Sequence, residues 1–292
     1  MQSPTRSFTE MKYKRIHQLP PLPARPKEGH KGMFGRVLVV GGSESMIGAP
    51  VLSGTAALRM GAGLVQIAVP KSMLATALSI TPELIGLPLA ASRIDRNAIV
   101  AADAIIIGPG MGQSTTARSR LKQLLKSNKP AVIDADALNL LASEKEFPAM
   151  NLHAVLTPHP GEMKRLAKFL KRSAVPTDDR GRLELAVLAA KSFNQVVVLK
   201  GFRTVVTDGH RVYINHTGDS TLSKAGSGDV LCGVIATLLA QEVEPFFAAS
   251  IGTWIHGKAG EIAGGRYGIR STLARELIES IHLAISAYEA AN

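Results

Sequence analysis

The residues best suited to chemistry lie in one stretch, Lys224-Ala225-Gly226-Ser227-Gly228-Asp229, which runs straight into an apolar segment, residues 230–239, at helical spacing. Small residues let a backbone pass close to a ligand and adopt positive φ. The first turn of the helix that follows has free N–H groups and a partial positive charge, which together suit a phosphate. Asp229 then stands beside an anion site. Like charges repel, so a carboxylate placed there is suited to a general base that takes the proton of a hydroxyl attacking a phosphoryl group. A Gly-rich turn followed by an Asp favoured by the helix dipole accounts for the same residues without any chemistry.

Five other motifs carry polar or glycine residues in unusual density: Gly41-Gly42-Ser43, Gly108-Pro109-Gly110-Met111-Gly112, Asp134-Ala135-Asp136-Ala137-Leu138-Asn139, Thr157-Pro158-His159-Pro160-Gly161-Glu162 and Lys200-Gly201-Phe202-Arg203-Thr204. Residues 108–112 remove side chains where a bulky ligand could lie on backbone, or form a tight turn. Asp134 and Asp136 suit orienting a water or a metal, and Asp136 equally suits a helix N-cap. His159 sits between two prolines that fix its backbone, for function or to bond a loop carbonyl. Glu162 falls in a first helical turn, where the dipole favours it, and could reach a magnesium-bound water. Lys200 reads as a solvated charge or a phosphate contact, and Thr204 as a strand threonine or a ligand contact.

The elements that must position these motifs follow from the apolar pattern. Short, continuous, β-branched runs at 36–40, 63–69, 104–107, 131–133, 154–156 and 196–199 each end at one of the motifs or at Pro70. Helical spacing fills about 114–127, 161–171 and 181–193, and a helix opens near Ala49-Pro50. Buried strands alternating with helices predict an α/β fold: a three-layer, doubly wound, mostly parallel sheet with helices on both faces. Asp208-Gly209 between 204–207 and 211–215 predicts an antiparallel hairpin at the sheet edge. Three helices, near 229–240, 245–264 and 271–289, close the chain. In such a sheet ligands bind beyond the carboxyl ends of the strands, where every one of these motifs falls.

Composition narrows the class. The 292 residues, 46% hydrophobic, suffice for one large domain, expected over 31–292 behind a basic, Pro-rich arm, residues 1–30. A single cysteine, Cys232, excludes an internal disulfide and a Cys-cluster metal site. No run is long enough to span a bilayer and no signal peptide is evident, which predicts a cytoplasmic protein without a membrane partner. The formal charge is +11, and residues 1–36 hold eight Lys/Arg against Glu10 and Glu28. With only 4% aromatics and no recognition motif, attraction of small anions explains that charge as well as nucleic acid does, and no specific nucleic-acid partner is expected.

Taken in order, Gly41-Gly42-Ser43, Gly108-Pro109-Gly110, Asp134-Ala135-Asp136-Ala137-Leu138, Thr157-Pro158-His159-Pro160-Gly161-Glu162, Lys200-Gly201 and Ala225-Gly226-Ser227-Gly228-Asp229 closely resemble the NAD(P)H-hydrate dehydratases, ribokinase-like proteins that repair damaged nicotinamide cofactors. The resemblance covers about residues 30–290. It implies that the S-epimer of hydrated NADH or NADPH is phosphorylated on its ring hydroxyl by ADP, or by ATP, and then loses phosphate. Asp229 would be the base and a substrate contact. Gly226, Ser227 and Gly228 would form the anion hole, and Lys200, Gly201, Phe202, Arg203 and Thr204 would hold the adenine nucleotide. Ala49, Gly110 and His159 would contact the hydrated dinucleotide. Mg2+ would bridge phosphates, with Glu162 reaching it through water. The resemblance also implies a homo-oligomer, a tetramer in many relatives, and a separate NAD(P)H-hydrate epimerase, since no epimerase segment is evident. Asp219 stands where the family often has Asn, an extra carboxylate near the phosphates. Two alternatives are a ribokinase-like kinase of a small alcohol or vitamin precursor, and a nucleotide- or nucleic-acid-binding protein without turnover.

Overall fold

The computed structural model describes residues 12–89, 92–150, 152–172 and 174–292; residues 1–11 of the expected arm lie outside them. Among the described residues ten strands form one sheet: β1 (Lys14–Arg15), β2 (Arg36–Val40), β3 (Leu64–Pro70), β4 (Ile85–Leu89), β5 (Ala104–Ile107), β6 (Ala131–Ile133), β7 (Ala154–Leu156), β8 (Val196–Leu199), β9 (Val205–Thr207) and β10 (Arg211–Ile214). The helices are α1 (Gly48–Arg59), α2 (Leu74–Ile80), α3 (Arg96–Ala101), α4 (Thr115–Leu125), α5 (Ala135–Leu141), α6 (Pro160–Leu166), α7 (Asp179–Phe193), α8 (Ser227–Ala240), α9 (Pro245–Tyr267), α10 (Ala274–Glu279) and α11 (Ile281–Ala291).

The strand order is β1-β10-β9-β8-β7-β6-β5-β2-β3-β4. From β8 to β4 every neighbour is parallel. The order reverses between β2 and β5, because the chain winds outward through β3 and β4 and then returns beside β2. Side chains alternate between two cores, as the strand pleat requires. Val37, Val39, Ala104 and Ile106 face the layer of α1, α8, α9, α10 and α11, whereas Leu38, Val40, Ile105 and Ile107 face α4 to α7. Both faces are covered, which is why these strands read as unbroken apolar runs.

The structure departs from the expected pattern in three places. The hairpin β9–β10 is antiparallel as expected, but it is not the edge: Lys14 and Arg15 pair in parallel with Arg211 and Val212 outside it. Further along the leader, Arg25 donates to the Gly61 carbonyl at 2.8 Å and Pro20 accepts from the Tyr288 hydroxyl at 2.6 Å. The single closing helix near 271–289 is two helices, broken at Ser280, whose hydroxyl turns back to the Glu276 carbonyl. The α2–β4–α3 unit and α5 carry no expectation from the apolar pattern. β4 holds Gly86 and Pro88, poor strand residues that an edge position tolerates. No helix among the described residues is long and apolar enough to cross a membrane.

Candidate active site

The parallel ladder continues one residue past the strands. Gly108 N–H donates to Val40, Asp134 N–H to Ile107, and Thr157 N–H to Ile133. Lys200 N–H donates in turn to the Pro158 carbonyl at 3.0 Å. Residues that follow β5, β6, β7 and β8 are thereby brought to one level along the carboxyl edge of the sheet. Gly108 is needed there: at φ +122°, a Cβ on it would lie 1.9 Å from the Asp134 carbonyl oxygen.

An ion-pair cluster occupies this level. The Lys200 ammonium lies 2.7 Å from Asp134 Oδ1 and 3.9 Å from Glu162 Oε2. Thr157 Oγ1 donates to the same Asp134 oxygen at 2.8 Å. Burial works against the charge of Lys200, but Asp134 and Glu162 overcome it and hold its pKa above the ordinary lysine value. Lys200 is therefore not a solvated edge charge: its ammonium is paired with Asp134. Asp136 is not the N-cap either: Asp134 takes that position in α5, and the Asp136 carboxylate accepts from Gly112 N–H at 2.8 Å.

His159 and Glu162 form a capping box at the start of α6. Gly161 N–H donates to His159 Nδ1 at 3.0 Å, and His159 N–H donates to Glu162 Oε2 at 2.8 Å. Nδ1 accepts, so Nε2 carries the ring proton, 3.3 Å from Glu162 Oε1. Burial, then Lys200, lowers the His159 pKa, and the ring is neutral at pH 7 with half its surface exposed. Burial raises the pKa of Glu162, with Lys200 opposing it. Both Glu162 oxygens thus face protein groups. Among the described residues no cluster of three or more His, Cys, Asp or Glu could hold a metal.

Asp229 stands in the first turn of α8, behind Gly226, whose φ of +91° opens the helix. Its carboxylate is half-buried, and no hydrogen bond or ion pair with a described residue holds it. Burial first, and Asp134 second, push its pKa up to about 7, with Lys200 pulling the other way. Gly228 separates it from the cluster: an ideal Cβ there would lie 3.3 Å from Lys200 Nζ and 3.8 Å from Asp134 Oδ2. Ser227 is buried and its Oγ lies 3.1 Å from His256 Nε2 of α9.

The remaining expected residues lie around this centre. Gly110 is buried against the start of α1, its ideal Cβ 3.4 Å from that of Ala49. After Lys200 the chain turns outward: Phe202 is 74% exposed, Arg203 (φ +55°) pairs with Asp179 at 2.6 Å, and Thr204 Oγ1 donates to the Gly201 carbonyl at 2.9 Å. Asp219 is exposed and caps a single turn by accepting from Thr221 N–H at 2.8 Å. A cavity of about 1030 Å³ lies elsewhere. Phe34, Asp103, Pro130 and His153 line it, so it opens at the amino ends of the strands. The polar cluster sits on the opposite, open crest.

Sequence reasoning missed the buried Arg182. Its guanidinium donates to the carbonyls of Phe202 at 2.5 Å and of Lys200 at 3.5 Å, which fixes the outward turn. It also missed α9 as the support of the neighbouring loop. Asn215 Nδ2 donates to Thr253 O at 3.0 Å, Thr217 Oγ1 to Trp254 O at 2.9 Å, and Gly218 N–H to Glu261 at 2.8 Å. A glycine-opened helix, an unpartnered carboxylate and a lysine–aspartate pair form a centre able to bind a phosphate and accept a proton.

The family model described as NAD(P)H-hydrate dehydratase matches residues 37–283. The chain belongs to the NAD(P)H-hydrate dehydratase family. Its fold is ribokinase-like. It is 42% identical over 272 residues to the bifunctional NAD(P)H-hydrate repair enzyme Nnr of Moorella thermoacetica, covering 88% of this chain and 50% of that protein. The chain spans about half the length of such bifunctional relatives. It is 38% identical to the ADP-dependent (S)-NAD(P)H-hydrate dehydratase of Neisseria meningitidis serogroup B, over 86% of this chain and 84% of that one. Among solved structures, the Bacillus subtilis ADP/ATP-dependent NAD(P)H-hydrate dehydratase co-crystallized with ATP/Mg2+ superposes with a TM-score of 0.79 at 29% identity, covering 92% of this chain and 95% of that one.

Proposed function

We propose that this chain dehydrates the S-epimer of hydrated NADH or NADPH, coupled to conversion of ADP to AMP and phosphate. The observation that carries the reading is Asp229. A carboxylate with no hydrogen-bond partner among the described residues, pushed up to about 7 beside the glycine-lined start of α8, is poised to exchange a proton near neutral pH. It would take the proton of the ring hydroxyl as that oxygen attacks the terminal phosphoryl of the nucleotide. Phosphorylation turns hydroxide, a poor leaving group, into phosphate, a good one. The ring nitrogen lone pair then drives phosphate out, leaving an iminium, and loss of a proton from the adjacent ring carbon to water restores the double bond.

Gly226, Ser227 and Gly228 would receive the transferred phosphoryl, with the first-turn N–H groups of α8 aimed at its charge. Lys200, screened by Asp134, would add a positive centre behind Gly228. The exposed Phe202 ring, with Gly201, Arg203 and Thr204, would border the adenine nucleotide. Ala49, Gly110 and His159 would line the dinucleotide side, where the neutral His159 ring offers no charge to repel or attract. Magnesium, when bound, would neutralise phosphate charge. The donor set suits an ion held mainly by phosphate and water, with Glu162 reaching it only through water. An epimerase activity would supply the S-epimer, and the protein would act in the cytoplasm as a homo-oligomer.

The test is direct. Hydrated NADH is incubated with magnesium and either ADP or ATP, and the absorbance of the intact dihydronicotinamide is followed. Recovery of about half of an epimer mixture, dependent on nucleotide, is expected. No recovery with either nucleotide would contradict the proposal.

A further inference from the structure

His256 is a buried imidazole, 7% exposed, that the proposed chemistry leaves unused. It reaches from α9 to the first residue of α8. Its Nε2 lies 2.9 Å from the Ser227 carbonyl oxygen and 3.1 Å from Ser227 Oγ. A carbonyl oxygen can only accept, so the proton must reside on Nε2. Ser227 Oγ therefore also meets an N–H, and its own hydrogen is left to point elsewhere. Among the described residues that hydroxyl forms no other hydrogen bond. One ring nitrogen thus fixes both the backbone and the side chain of the residue that opens the anion-binding turn.

We infer that His256 is a positioning residue: as the neutral Nε2–H tautomer it aims the Ser227 hydroxyl, as a hydrogen-bond donor, at the phosphoryl group held at the start of α8. Burial, in which the nearby Lys200 charge assists, lowers the His256 pKa to about 4 although its bond to Ser227 opposes this, so the ring stays neutral across the working pH range. The arrangement has a chemical logic. A charged imidazolium would strengthen the anion site but bind phosphate too firmly after transfer, whereas a neutral donor orients Ser227 without adding a charge. α9 also carries the contacts that seat residues 215–218, so one helix holds both that loop and the start of α8.

This inference rests on the proposed function only for its kinetic readout. The tautomer is read independently by nitrogen-15 NMR of the histidine side chains at pH 7. A proton on Nε2 and a bare Nδ1 are expected for His256; a proton on Nδ1 alone, or a charged ring, would overturn the inference. For the kinetics, His256→Gln keeps an N–H near the Nε2 position and His256→Leu removes it. His256→Leu is expected to lower kcat/KM for the nucleotide about tenfold or more, with KM for the hydrated dinucleotide within about twofold. His256→Gln should recover most of that loss. Adding Ser227→Ala to His256→Leu should cost little further, since the two act as one unit. Equal losses in the Gln and Leu variants, or fully additive losses with Ser227→Ala, would assign His256 to packing alone. If the wild-type protein restores no dihydronicotinamide, the functional reading fails while the NMR result still decides the tautomer.

Discussion

Lys200 and Asp134 meet at 2.7 Å across the end of β7, although 66 residues separate them in the chain and another strand lies between theirs. Thr157, at the end of that intervening strand, binds the same Asp134 oxygen. The pair thus joins three strand ends and sets the charge balance of the whole crest. Asp134 raises the pKa of both Lys200 and Asp229, and Lys200 moderates its effect on Asp229.

Breaking this pair from the lysine side should be costly. Lys200→Met leaves Asp134, only 3% exposed, without its counter-charge. Loss of one partner of a buried pair costs about 3 kcal/mol. Urea unfolding at pH 7 should show that loss, and Asp134→Asn in the same chain should recover at least half of it. A Lys200→Met protein as stable as wild type would mean that solvent already screens the pair.

Asp229 should impose a pH profile. Its folded pKa of about 7 lies above the ordinary carboxylate value, so the protonated form prevails below pH 7 and cannot accept a proton. kcat/KM should fall as pH drops through about 7, and Asp229→Asn should lose at least about a hundredfold in turnover while still binding nucleotide. The stability effect has the opposite sense. A raised pKa means that folding favours the protonated form, a stability fully present below the unfolded value near 4 and lost as pH rises through about 7. Asp229→Asn should therefore be more stable than wild type at pH 8 and gain nothing at pH 4.

Gly228 separates binding from folding. A methyl there meets the Lys200 ammonium at 3.3 Å, the far end of a flexible side chain, so stability should change by less than about 1 kcal/mol. The same methyl enters the space proposed for the phosphoryl group, and nucleotide KM should rise about tenfold or more. Isothermal titration with ADP beside thermal melting distinguishes the two effects. Unchanged ADP affinity would move the phosphate site away from Gly228.

Much of this was legible in the residues. The runs that became β2, β5, β6, β7 and β8 are continuous and β-branched because both faces are buried, and the motifs stand out because each interrupts such a run. β4 was not legible, since Gly86 and Pro88 break the pattern at an edge. α5 was hidden by its own motif and begins with Ala135 at φ +50°, which no propensity suggests. The candidate site was legible as a set of strand ends but not as a set of partners. Nothing in the spacing of Asp134, Lys200 and Glu162 says that they neutralise one another, because that depends on the order β8-β7-β6. Arg182 and His256 read as ordinary helix residues until tertiary packing brings α7 and α9 against the crest.

The account turns on the ring hydroxyl leaving as phosphate rather than as water. Hydrated NADH labelled with oxygen-18 in that hydroxyl, turned over with ADP and magnesium, tests this directly by mass spectrometry of the inorganic phosphate released. The account predicts one labelled oxygen in each phosphate formed. Unlabelled phosphate, with the label in solvent water, would contradict it.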